Sequence, residues 1–225
     1  MKLLKQLIIG AIVGFFGAFL LLGVSEIDFS IYTDAIVIGL FIIILILWGW
    51  SFLLHKQIKN LDSKELKGEE EDEADVLKYK KISDYMLFVQ SSSVISLLTL
   101  CITITTPLNI TLIIISIIFL IVSYFLAVTG VNSMRRIYPE RNLPKISDSK
   151  YEEKLLEAAD EGEKYVIMQG LYKAYNLLNV VLIFAIVGSA IYSMVAESSQ
   201  VFSIVLMSIV LLLVNGRYLL VIRNK

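Results

Sequence analysis

Cysteine and histidine each occur once in the 225 residues, as Cys101 and His55. A single cysteine allows neither a disulfide framework nor a thiolate metal site, and a single histidine leaves any zinc site to carboxylates alone. The apolar runs carry no ionisable group at depth, which removes the usual apparatus of proton or sodium coupling. Hydrolysis lacks its parts as well, since no Ser/His pair and no paired intramembrane aspartates are present. No glycine-rich phosphate-binding loop of the Walker type occurs, so ATP hydrolysis is excluded at the level of motifs. Basic residues are interleaved with a larger number of carboxylates, giving no uniform positive patch for nucleic acid. No cofactor is implied.

What the chain has is apolar length. Apolar residues make up 57% of it and its mean hydropathy is +0.76, too high for a water-soluble fold. Runs of Leu, Ile, Val and Phe cover roughly 7 to 24, 32 to 54, 85 to 105, 109 to 130, 177 to 195 and 200 to 216. A hydrocarbon core of about 30 Å takes about 20 helical residues, so each run is long enough to cross. The runs are continuous rather than alternating, and backbone groups in lipid must pair within their own segment, so they read as helices. Lys2 and Lys5 before the first run resemble a signal-peptide start, but its apolar stretch exceeds the usual length of one, and it reads as a retained span.

All 20 Lys and Arg residues fall between alternate pairs of runs: two before the first, seven between the second and third, eight between the fourth and fifth, three at the end. Around Ser25–Thr33, Thr106–Leu108 and Ala196–Ser199 there are none. The positive-inside bias therefore places both termini and both long loops in the cytoplasm of a cell membrane. The acidic residues follow, with only Glu26, Asp28, Asp34 and Glu197 outside. The expected fold is all-α: a single polytopic membrane domain over 1–225, six transmembrane helices as three hairpins, with cytoplasmic helical extensions.

Gly10, Gly14 and Gly17 in the first span form a small-xxx-small face for packing against another helix. Trp48 and Trp50 are expected to mark the membrane interface, with His55 solvated beside them. In the cytoplasmic segment 55–84, Gly68-Glu69-Glu70-Glu71-Asp72-Glu73 is a like-charge block expected to interrupt any helical stripe and stay hydrated. It lacks the ligand spacing of a calcium loop. In the segment 131–176, Pro139 and Pro144 disfavour a continuous helix, and Ser149 with Glu152 has capping-box spacing. From there an amphipathic helix over 150–175 is expected to run into the fifth span, weakened only at Gly162 and Gly170.

Two sets of residues are candidates for function. Gln90, Ser91, Ser92 and Ser93 in span three, with Asn176 and Asn179 at the start of span five, form either interhelical glue or a polar vestibule. Three consecutive serines point in different directions around a helix, which favours glue. Tyr151, Leu155, Asp160, Glu161, Glu163 and Tyr172 on the cytoplasmic helix are the candidate partner-facing residues.

At Ile137-Tyr138-Pro139, Asp160-Glu161-Gly162-Glu163 and Tyr172-Lys173-Ala174-Tyr175, and in its six-run layout, the chain resembles a family of uncharacterised six-span bacterial membrane proteins catalogued as a domain of unknown function. The resemblance covers nearly the full length. It implies a Gram-positive cell membrane and no assigned reaction. The expected function is a non-enzymatic accessory or regulatory membrane protein that engages a membrane or cytoplasmic protein through its cytoplasmic helices. The alternative is a permease, or a transporter's membrane subunit, for a neutral or hydrophobic solute.

Overall fold

The computed structural model describes residues 29–63, 68–106, 110–138, 143–145, 147–196 and 198–223. The first apolar run, with Gly10, Gly14 and Gly17, lies outside them. Six helices are described: α1 (Phe29–Asp62), α2 (Glu69–Thr105), α3 (Ile110–Ile137), α4 (Tyr151–Ala158), α5 (Glu161–Val195) and α6 (Val201–Arg223). All but α4 are long and apolar enough to cross a membrane, and no strand occurs among the described residues. The chain is thus an all-α, multi-pass membrane protein. The helices fall into two compact units, Phe29–Asp160 and a second that holds α5 and α6.

The first unit is built on steps of four and three residues, which return to one face of a helix with 3.6 residues per turn. On α1 the stripe is Val37, Phe41, Ile44, Trp48, Ser51, His55, Ile58 and Asp62. On α2 it is Asp75, Lys78, Ile82, Tyr85, Val89, Ser92, Ser96, Thr99 and Thr103. The fully buried residues of α3 are Ser116, Ser123 and Gly130, seven apart each time. Side chains repeating in this way mesh at the shallow crossing of a coiled coil. Neighbouring helices run antiparallel. Lys81 Nζ of α2 donates to Gln57 Oε1 of α1 at 2.6 Å, while Tyr85 of α2 reaches the Leu126 carbonyl of α3 at 3.1 Å. The rings of Phe41 and Trp48 on α1 lie 4.7 and 4.9 Å from Phe119 on α3.

The stripe changes chemistry along its length. At the charged end it is apolar, with Ile58, Ile82, Tyr85, Val89 and Tyr138 buried together. Farther along α2 it becomes a row of hydroxyls, while Ile42, Leu45, Leu97 and Phe125 face outward. A helix gains little by turning leucine away from lipid, so small residues that permit close approach take the inner face.

Several local expectations change. Glu69, Glu70, Glu71 and Glu73 do not interrupt a helix; they are exposed in the first turns of α2, where carboxylates complement the positive end of the helix dipole. Gly68, with φ 66°, supplies the left-handed turn before them. Trp48 turns inward, because it lies seven residues after Phe41 on the packed stripe; Trp50 is on the outer surface. His55 is half-buried, its ring 6.1 Å from that of Tyr85.

No unbroken helix spans 150–175. Ala159 is extended at ψ 141° and Asp160 is non-helical, so α4 and α5 are separate. Asp160 stands at the N-cap position of α5 with Glu161 and Glu163 in the first turn, a pattern that favours starting a new helix over continuing an old one. The start of α4 is held differently from the expected capping box, for its N-cap is Lys150 with no side-chain cap bond. Asp148 takes that part: Oδ1 accepts from the Lys150 amide at 3.2 Å and Oδ2 from Lys154 Nζ at 2.6 Å.

Candidate functional site

The seam between α2 and α3 is a chain of hydroxyls. Ser96 Oγ donates to the Ser92 carbonyl at 2.7 Å, which uses its one proton. Ser123, 3.0 Å from Ser96 Oγ, is then the donor of that contact. Ser123 Oγ in turn accepts from Trp48 Nε1 at 3.1 Å. The indole of α1, the hydroxyl of α3 and the hydroxyl of α2 thus form one directed chain ending on a backbone carbonyl. Ser92, Thr99 and Thr103 each donate to a carbonyl of their own helix at 2.8 to 2.9 Å. Among the described residues no buried side-chain nitrogen or oxygen is left without a partner. The hydroxyl protons of Ser92, Ser96, Thr99, Thr103 and Ser123 are thus all engaged within the protein.

Two turns beyond Ser123 toward the charged end, Gly130 of α3 faces the Tyr85 ring of α2. A Cβ there would lie 2.5 Å from Tyr85 Cε1 and 3.1 Å from Met86 Sδ. The missing side chain is what lets the buried Tyr85 ring lie flat enough to donate its hydroxyl to α3.

At the charged end α1 and α2 are tied by Lys78, which contacts Asp75 at 2.7 Å and Asp62 at 3.8 Å. Beside this tie an open groove of about 510 Å³ runs along α2, lined by Leu61, Glu70, Glu73, Ala74, Leu77 and Lys80 with Val76 at its lip. After α3, Arg135 Nε donates to the Leu143 carbonyl at 2.9 Å and holds the following segment back against the helix end.

The second unit has a polar contact of its own. Asn215 Nδ2 donates to Asn179 Oδ1 at 2.6 Å, Tyr175 Oη donates to Asn215 Oδ1, and Tyr175 stacks on Tyr218 with centroids 4.7 Å apart. Neither α5 nor α6 has a fully buried residue, so this half-buried cluster is the main specific contact of the pair.

The candidate residues are thereby separated. Gln90 is exposed, Ser92 is buried in the seam, and Ser91 and Ser93 are half-buried on its flanks. Asn179 is in the α5/α6 cluster while Asn176 is exposed. Leu155, Asp160, Glu161 and Tyr172 are exposed, and Tyr151 and Glu163 half-buried; Tyr151 and Leu155 lie on α4, Glu161, Glu163 and Tyr172 on α5 and Asp160 between the two helices, rather than all on one amphipathic face. Sequence reasoning missed Asn215, Ser96 and Ser123. The serines were legible as the continuation of a four-three stripe through Ser92, but an asparagine in one apolar run gives no sign of its partner in another. Among the described residues no group of three or more His, Cys, Asp or Glu side chains is placed to hold a metal ion.

No curated protein and no solved structure matches this chain. A family model does match, over residues 1–222. Because that match covers nearly the whole chain, the chain belongs to the family described as Protein of unknown function (DUF3169).

Proposed function

We propose that this chain is a non-enzymatic, six-span protein of a bacterial cell membrane, folded as three hairpins with both termini cytoplasmic, whose cytoplasmic helical extensions engage a partner protein. The observation that carries the reading is excess length at the charged end. α1, α2 and α5 contain 34, 37 and 35 residues, or about 50 to 55 Å of helix, where a hydrocarbon core of about 30 Å needs about 20 residues. In α1 the surplus follows the apolar run, and in α2 and α5 it precedes it, so the surplus gathers wherever Lys and Arg gather. Lipid offers no reason to prolong a helix into water. An ordered extension bearing exposed Val76, Tyr165 and Tyr172 suits contact with another protein.

The permease reading has less support, because the hydroxyls at Ser92 and Ser96 are consumed in bonds between and within helices. Photo-crosslinking residues placed at Val76, Tyr165 and Tyr172 in living cells test the proposal, with Val187, exposed in the apolar part of α5, as control. Adducts with one protein from the first three positions and not the fourth are expected. Absence of adducts from all three would remove the proposal.

A further inference from the structure

We infer that the groove beside α2 seats a basic amphipathic helix of the partner protein; this rests on the partner-binding reading above. The groove's floor is apolar, made by Leu61 of α1 with Ala74 and Leu77 of α2. Val76 at its lip is 72% exposed, on the part of α2 that precedes the apolar run. Apolar surface left in water is costly, and an incoming apolar helix face would remove it.

Charge decides which occupant fits. Glu70 and Glu73 form one wall, with exposed Glu69 and Glu71 beside them. Among the described residues, Lys78 is already paired with Asp75 and Asp62, and Lys81 donates to Gln57 of α1. Lys80 is the cation that lines the groove, at the end toward the membrane. A helix lying along α2 therefore meets negative charge at the distal end and positive charge near the membrane. Lys or Arg facing Glu70 and Glu73, with leucine-like residues at i, i+3, i+4 and i+7 over the floor, satisfies both. An anionic leaflet is repelled by the same carboxylates. A second copy of the chain is a poor match, since the start of its α5 carries Glu161 and Glu163 and would set acid against acid.

Two measurements test this. The full chain in discs of neutral phosphatidylcholine is titrated with a fluorescent Leu/Lys helical peptide of about 14 residues, about four turns, and with a Leu/Glu peptide of the same apolar spacing, empty discs being subtracted. The Leu/Lys peptide should bind about tenfold tighter or better. E70K/E73K should abolish that preference, E70Q/E73Q should reduce it, and Leu77→Asp should weaken binding of both peptides. Equal affinity for the two peptides, or a preference that survives E70K/E73K, overturns the inference.

Crosslinking in cells separates this inference from the reading beneath it. Partner adducts at Tyr172 without any at Val76 overturn the groove and leave partner binding standing. Adducts at Tyr165 alone do the same, and no adducts at Val76, Tyr165 or Tyr172 overturn both. An adduct at Val76 between two copies of the chain also overturns the inference, in favour of self-association.

Discussion

Ser123 has one proton and two neighbours, and both contacts depend on it. Its replacement by alanine leaves the Trp48 N–H without an acceptor and the Ser96 oxygen without a donor in a buried seam. Ser123→Ala should therefore lower the unfolding free energy in detergent by about 0.6 to 2 kcal/mol. Ser96→Ala in the same background should add less than it costs alone, because the two share one bond. At Gly130 the effect is steric, since a methyl group would meet the Tyr85 ring at 2.5 Å. Gly130→Ala should cost about 1 to 3 kcal/mol of thermal stability, and Tyr85→Leu in the Gly130→Ala chain should recover part of it. An additive loss in that double variant would show that the ring is not the obstacle. Of these side chains the sequence showed only that Ser91, Ser92 and Ser93 cannot all face one way. Which of the three faces inward depended on α3.

The separation of α4 from α5 is a property of a short stretch that a reading of periodicity passes over. Tyr151, Leu155, Tyr165 and Tyr172 recur at helical intervals across it, and that regularity conceals a stop. Asp160 with Glu163 three residues later has the same start spacing as Ser149 with Glu152. Both signals are present in the chain, and only the second start, at Glu161, has the helix begin where the spacing places it. Asp160→Ala should weaken that start by about 1 kcal/mol, seen as faster amide exchange over Gly162–Lys164 with the apolar part of α5 unchanged.

At α4 the Lys154 ammonium, and then the Lys150 amide, hold the Asp148 carboxyl below the usual aspartate range. A carboxyl whose folded pKa is depressed adds stability above its unfolded value of about 3.9, and that contribution is lost as pH falls through the lower folded value. A spin label at Leu155 should accordingly keep its mobility from neutral pH down to about pH 4 and gain mobility only in stronger acid. In Asp148→Asn, which keeps an acceptor for the Lys150 amide but loses the charge that holds Lys154, the label should be more mobile at neutral pH and change less on acidification.

For the molecule as a whole, the proposed orientation can be read from which positions meet water on which side. In a Cys101→Ala background, a cysteine at Ser199 should react with an impermeant maleimide on intact cells. Cysteines at Glu71 and Glu153 should react only after permeabilisation. Labelling of Glu71→Cys from outside would reverse the topology and leave both the partner reading and the groove on the wrong face.

Composition and the order of residues were enough to establish an all-helical membrane chain and to locate the five apolar helices described, because hydrocarbon thickness and backbone hydrogen bonding act within a single segment. They also pointed to the end of the molecule where charge and surplus helix collect. The inward turn of Trp48, the hydroxyl chain through Ser123 and Ser96, and the pairing of Asn179 with Asn215 came from packing. Each joins groups far apart along the chain, 75 residues in the case of Trp48 and Ser123. In lipid the apolar residues are nearly equivalent on every face of a helix, so hydropathy carries no information about which face meets which neighbour; small residues and hydrogen bonds between helices make that choice.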